Sequence, residues 1–169
     1  MSATRVPRNV FLAILAAGFL ECLHDFPFLP QQMASHFAAS GNANGWMMKS
    51  QFFSVYAVLM IPPVILEFWT PRRIRRTAND RLHIPNKDYW LAPDRRAETM
   101  AYFEKFIAWC GCALLALEVL AMGLSMRANF LNPPHLATGL VVFALAAFVL
   151  FNAASILVMI HRFSRRPRV

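Results

Sequence analysis

Glu21, His24 and Asp25 interrupt an otherwise apolar run at spacings i, i+3 and i+4, so a continuous helix would stack all three on one face. Carboxylate and imidazole groups so placed could relay a proton, or hold a hard or borderline metal with help from elsewhere. Glu118 breaks a later apolar run at a comparable depth, and His36 lies in the loop above the first run. Glu21, His24 and His36 are therefore the residues that could bind a metal. A di-iron bundle takes two Glu-x-x-His motifs and two further carboxylates, whereas this chain offers the single motif ECLH. A structural polar network explains the same residues with fewer assumptions: Glu21 and His24 bond each other or a neighbouring helix, and Glu118 finds a similar partner. Glu67, toward the basic end of another run, is expected to reach water or an arginine.

Nothing points to nucleophilic or phosphoryl chemistry, since the chain carries no G-x-S-x-G, P-loop, H-E-x-x-H or paired CxxC. Cys110 and Cys112 fall about 200° apart around a helix and cannot chelate one ion together. With Cys22 they read as small apolar residues within helices. The expectation is a non-enzymatic protein without a cofactor.

Positioning such groups is the task of four apolar runs. The chain of 169 residues is 57% hydrophobic, and its mean hydropathy of +0.41 is too high for a soluble domain of that size. The runs cover about residues 10–26, 52–69, 106–126 and 136–160, each near the ~20 residues that cross a bilayer core. The first has a cationic start at Arg5 and Arg8 but no small-x-small site at its end, so it is expected to be retained as an anchor. Nine Lys and Arg residues lie between Pro71 and Lys105, two precede the first run and four follow the last, against one in each remaining loop. By the positive-inside rule both termini and the loop 70–105 are cytoplasmic, and the loop 27–51 is extracytoplasmic. The net charge of +8 is therefore a topology signal, and nucleic acid is not an expected partner. The expected fold is all-α: a single membrane domain, 1–169, forming a four-helix bundle of two helical hairpins, with the third helix extended into the cytoplasm.

Local signals refine this outline. Pro62-Pro63 should kink the second span. The run PRRIRRTANDR suits anionic headgroups. Pro93 fits the first turn of a helix that should continue unbroken to about Met126, roughly 50 Å at 1.5 Å per residue.

The loop LPQQMASHFAASGNANGWMMK carries a defined set of features. Leu29-Pro30 ends the first span, Gly41 to Gly45 offers tight turns, and Trp46 with Lys49 suits an outer interface, where Lys49 could snorkel or meet a phosphate. Leu29, Pro30, His36, Phe37, Gly41, Gly45, Trp46 and Lys49 resemble, in type and spacing, the small membrane domain at the start of SdpI-type immunity proteins. The segment IPNKDYWLAPDRR, with Asn86, Lys87, Asp88, Tyr89 and Trp90, is similar to the cytoplasmic segment of an uncharacterised branch carrying that domain. Ala34 stands where a proline is usual, and the chain is short for the full SdpI arrangement. The resemblance implies a shared membrane domain, with resistance to a secreted peptide toxin and recruitment of a repressor as the functions known for such proteins. It marks His36, Phe37, Gly41, Trp46 and Lys49 outside, and residues 86–90 inside, for ligand or partner recognition.

The sequence thus leads to a multi-pass protein of a bacterial cytoplasmic membrane whose outer loop recognises a peptide ligand or protein partner and whose basic segment meets a partner or anionic lipid. Two other readings are an accessory subunit of a larger membrane complex and a metal- or quinone-dependent redox protein. Glu21, His24, Asp25 and Glu118 form the intramembrane polar set in each.

Overall fold

The computed structural model describes residues 4–165, so Arg166 and Arg168 of the basic tail lie outside the described residues. Four helices, Arg5–Phe28, Lys49–Arg75, Arg96–Ala128 and Thr138–Ser164, are long and apolar enough to cross a membrane. This is the architecture of a multi-pass membrane protein. Each helix extends past the apolar run that specifies it, because flanking polar and basic residues continue the same backbone hydrogen bonding.

The third helix is the common wall of the bundle and packs against each of the other three. Phe11 of the first helix meets Cys112 and Leu115 of the third in one buried cluster, with Phe68 of the second closing it. The Phe11 and Phe68 rings meet edge to face at 5.6 Å. Small residues allow the close approaches that hold helices together in a bilayer, where apolar burial alone contributes little. A side chain at Gly18 would meet Val119 at 2.9 Å, and one at Gly111 would meet the Pro63 carbonyl at 3.3 Å. Cys112 adds a hydrogen bond from Sγ to the Pro7 carbonyl at 3.1 Å.

Pro62-Pro63 perturbs the second helix as the sequence implied. The chain passes from Lys49–Leu59 through a short helical turn, Ile61–Val64, into a π-helical turn, Ile65–Trp69, before resuming at Thr70–Arg75. The missing proline donors and the extra residue in the widened turn rotate Glu67 inward.

The region between the first two helices differs from expectation. Gln32–Phe37 (β1) and Ala43–Met48 (β2) pair as an antiparallel two-stranded sheet. The fold is therefore helical with one β-hairpin, not all-α, and the loop expected over 27–51 is ordered backbone. Exposure in β2 alternates residue by residue, the period-2 pattern of a strand with one covered face. Met33 pairs with Met47, and both face a cluster formed with Leu29, Phe52, Met122 and Met126. Gly41, at φ +89°, takes the left-handed turn that a side chain would resist.

The fourth helix turns one half-buried stripe, Val141, Ala144, Phe148, Asn152, Ser155 and Met159, to the bundle, and no residue in its membrane-length apolar window is fully buried. At its end the buried Phe163 stacks on Phe103 at 5.0 Å and meets Trp90 and Tyr102 edge to face.

Candidate functional site

The β-hairpin is fastened at three points. The buried side chain of Asn129, at the end of the third helix, brackets one strand residue: Oδ1 accepts from Ala34 N at 2.7 Å and Nδ2 donates to Ala34 O at 2.9 Å. Nδ2 also donates to Ser125 O at 2.8 Å, which fixes the amide to its own helix. Lys49 turns inward: its ammonium donates to Phe26 O at 3.2 Å and Leu29 O at 3.0 Å and lies over the Phe26 ring at 4.5 Å. A cation there caps carbonyls left free at the first helix's end. At the hairpin tip, Leu136 N donates to Gly41 O at 2.8 Å, and a side chain at Gly41 would strike Leu136 O at 2.5 Å.

These contacts leave several hairpin side chains open to the surroundings. His36, Trp46 and Met48 are exposed, and Phe37 is half-buried. His36 stands opposite Gly45, where a Cβ would come within 2.9 Å of the His36 Cβ, so that glycine makes room for the imidazole. The register slips around His36, and such bulges re-aim side chains. Of the residues marked in this region, His36 and Trp46 remain available to a partner, whereas Gly41 and Lys49 serve the shape.

The intramembrane polar residues do not converge. Glu21 accepts from Arg127 at 3.2 Å and lies against Gly123. His24 bonds its neighbour Asp25 at 2.7 Å on the exposed side. Glu118 turns instead into a groove lined by Tyr56, Leu59, Val141 and Leu145, where its Oε2 is buried without a hydrogen-bond partner among the described residues. Among the described residues no three His, Cys, Asp or Glu side chains are grouped to hold a metal ion. Glu21, His24 and His36 are not brought together as ligands.

The arginine-rich end holds a constellation that sequence reasoning undervalued. Glu67 is fully buried, with Arg8 Nε 3.9 Å from its Oε1, and no hydrogen bond reaches either carboxylate oxygen among the described residues. Arg8 also lies over the Phe68 ring at 5.4 Å. Beside this pair, Arg75 grips the buried Glu104 with two donors, Nε at 2.6 Å from Oε1. Together with Arg72 and Arg76 these groups line a pocket of about 300 Å³. The signal available in the sequence was an ionisable residue shortly after Pro-Pro within an apolar run, a default functional suspect.

The segment 86–90 is spent largely on the fold. Asn86, left-handed at φ 52°, donates from Nδ2 to Phe163 O at 2.9 Å and Ser164 O at 3.1 Å. Trp90 Nε1 donates to the same Phe163 carbonyl at 3.0 Å. The fourth helix therefore has its last carbonyls capped by this segment. Lys87 reaches Asp80 O at 3.4 Å, Tyr89 carries Arg95 over its ring at 4.2 Å, and Asp88 is exposed.

No curated protein and no solved structure matches the chain. A family model described as a domain of unknown function, DUF1648, matches residues 12–61. The likeness to that uncharacterised domain thus takes in most of the first helix, the whole β-hairpin and the start of the second helix up to its kink.

Proposed function

We propose that this chain is a non-enzymatic recognition protein of a bacterial cytoplasmic membrane, with its termini and basic segment inside and its β-hairpin outside. The exposed hairpin side chains, Trp46 and Met48 on one face of β2 and His36 opposite Gly45, meet a peptide ligand or protein partner, in the manner of the SdpI-type immunity proteins that the loop resembles. One observation carries the reading: Asn129 bonds both backbone groups of Ala34 and Leu136 N bonds Gly41 O at the tip, while Trp46, Met48 and His36 stay exposed on the strands so held. A held strand pair loses little conformational freedom on binding, and exposed tryptophan is a common energetic anchor.

The test is complementation. Cells lacking the gene are challenged with the peptide fraction of their own spent medium, then supplied with wild type, His36→Ala or Trp46→Ala. Wild type should restore growth and the two variants should fail while inserting at normal levels. Equal growth with and without the gene would sink the immunity reading.

A second reading has its own support. The fourth helix exposes Leu140, Val142, Phe143, Val149, Leu150 and Leu157, an apolar surface suited to lipid or to a neighbouring membrane protein. An accessory subunit would co-purify stoichiometrically with larger proteins in mild detergent. A lone monodisperse species would argue against it.

A further inference from the structure

The pocket between the first three helices has an unequal charge balance. Glu104 is already engaged by two donors of Arg75, and Glu67 faces Arg8, so that among the described residues Arg72 and Arg76 line the pocket with no carboxylate in ion-pair contact. Arg72 spends one donor on the Phe68 carbonyl, and a guanidinium carries five. The Arg8 side chain is about one-third exposed (37%), so its outer edge is reachable while Nε points back toward Glu67. Trp69, more than half exposed and next in sequence to the lining residue Phe68, is of the type that meets lipid headgroups at the membrane interface.

From this geometry we propose that the pocket binds a phosphate ester, supplied by the headgroup of an anionic phospholipid, with Arg72 and Arg76 as its direct donors and Glu67 restraining Arg8. The opening is of headgroup size, lies between membrane helices and presents planar donor forks that match phosphate oxygens. Glu67 acts through Arg8: whenever it is ionised, its carboxylate offsets the guanidinium 3.9 Å away and weakens that residue's hold on an anion. The inference is independent of hairpin recognition and of which leaflet the pocket faces.

Native mass spectrometry of the detergent-purified full chain tests it, with phosphatidylglycerol, phosphatidylcholine and soluble glycerol 1-phosphate as probes. Phosphatidylglycerol should be retained over phosphatidylcholine, and Arg72→Ala or Arg76→Ala should each weaken it about fivefold. Arg73→Ala removes the same charge from a residue that lies over Trp69 and does not line the pocket, and should leave retention unchanged. Arg8→Ala and Glu67→Gln should move in opposite directions, the first weakening and the second tightening. Equal losses in the Arg72, Arg73 and Arg76 variants would reduce the effect to diffuse charge and overturn the site. Parallel weakening by Arg8→Ala and Glu67→Gln would overturn the restraining role of Glu67. Competition by glycerol 1-phosphate at the same concentration as phosphatidylglycerol would overturn the lipid as the source and assign a soluble ester. The rim arginines are exposed, so their variants report binding even where the buried pair's variants fail to fold.

Discussion

Asn129 and Lys49 decide whether the hairpin is held or loose. Asn129→Ala removes three hydrogen bonds and takes the side-chain partner from both backbone groups of the buried Ala34, at about 1–3 kcal/mol for each group left unsatisfied. The expected result is a lower melting temperature and faster proteolysis between residues 30 and 48, with the four helices retained in circular dichroism. Lys49→Met keeps the aliphatic bulk but loses two charge-assisted bonds, at about 1.5–3 kcal/mol apiece as an upper range. Thermal unfolding in detergent should show that loss, and Lys49→Arg should recover part of it if a cation at the helix end is what matters. An unchanged melting temperature in Lys49→Met would place the ammonium in water and return the residue to the ligand-binding set. The exposure of His36 and Trp46 agrees with their place in a polar, glycine-rich stretch between two apolar runs. Lys49 was legible as a cation at an interface, but its inward turn depends on where Phe26 and Leu29 leave free carbonyls, which the spacing does not reveal.

At the level of elements, the third helix is tied to each neighbour by an Arg–Glu pair: Arg127 to Glu21 of the first helix, Glu104 to Arg75 of the second, Glu98 to Arg162 of the fourth. The pairs with exposed arginines are weak contributors on their own. Close packing carries more, and Gly111 is its clearest test, lying 3.3–3.4 Å (for an added Cβ) from the Pro63 carbonyl, Leu66 and the Glu67 amide. Gly111→Leu should push the second helix away and lower stability by about 1–3 kcal/mol. A melting temperature equal to wild type would show that the π-helical turn yields without cost. The helices themselves were plain from their apolar runs, and the kink from Pro62-Pro63. The β-hairpin was hidden because its Gly and Asn residues read first as turn chemistry, which masked the alternation in ANGWMM. Glu67 was passed over because its burial requires Gly111, distant in sequence, to admit the widened turn.

For the whole molecule, three helices and the hairpin form one packed unit, and the fourth helix adds a half-buried stripe that ends on the fully buried Phe163. Phe163→Ala should remove the ring that Trp90, Tyr102 and Phe103 surround, at about 3–5 kcal/mol for a buried phenylalanine. Spin labels at Ala116 and Leu150, both exposed, should then give a broader distance distribution than in wild type. An unchanged distribution would mean that the helix is fixed along its length. One end of the molecule carries the fastened hairpin with Trp46 exposed, and the other an arginine-lined pocket.

The most direct test of the recognition account is binding to the hairpin face by the full chain in nanodiscs. The probe is the secreted peptide fraction, read by surface plasmon resonance against wild type, Trp46→Ala and Leu150→Ala. Wild type and Leu150→Ala should bind alike, while Trp46→Ala should be about 30-fold weaker, the loss typical of a central aromatic anchor. Indistinguishable binding by wild type and Trp46→Ala would contradict it.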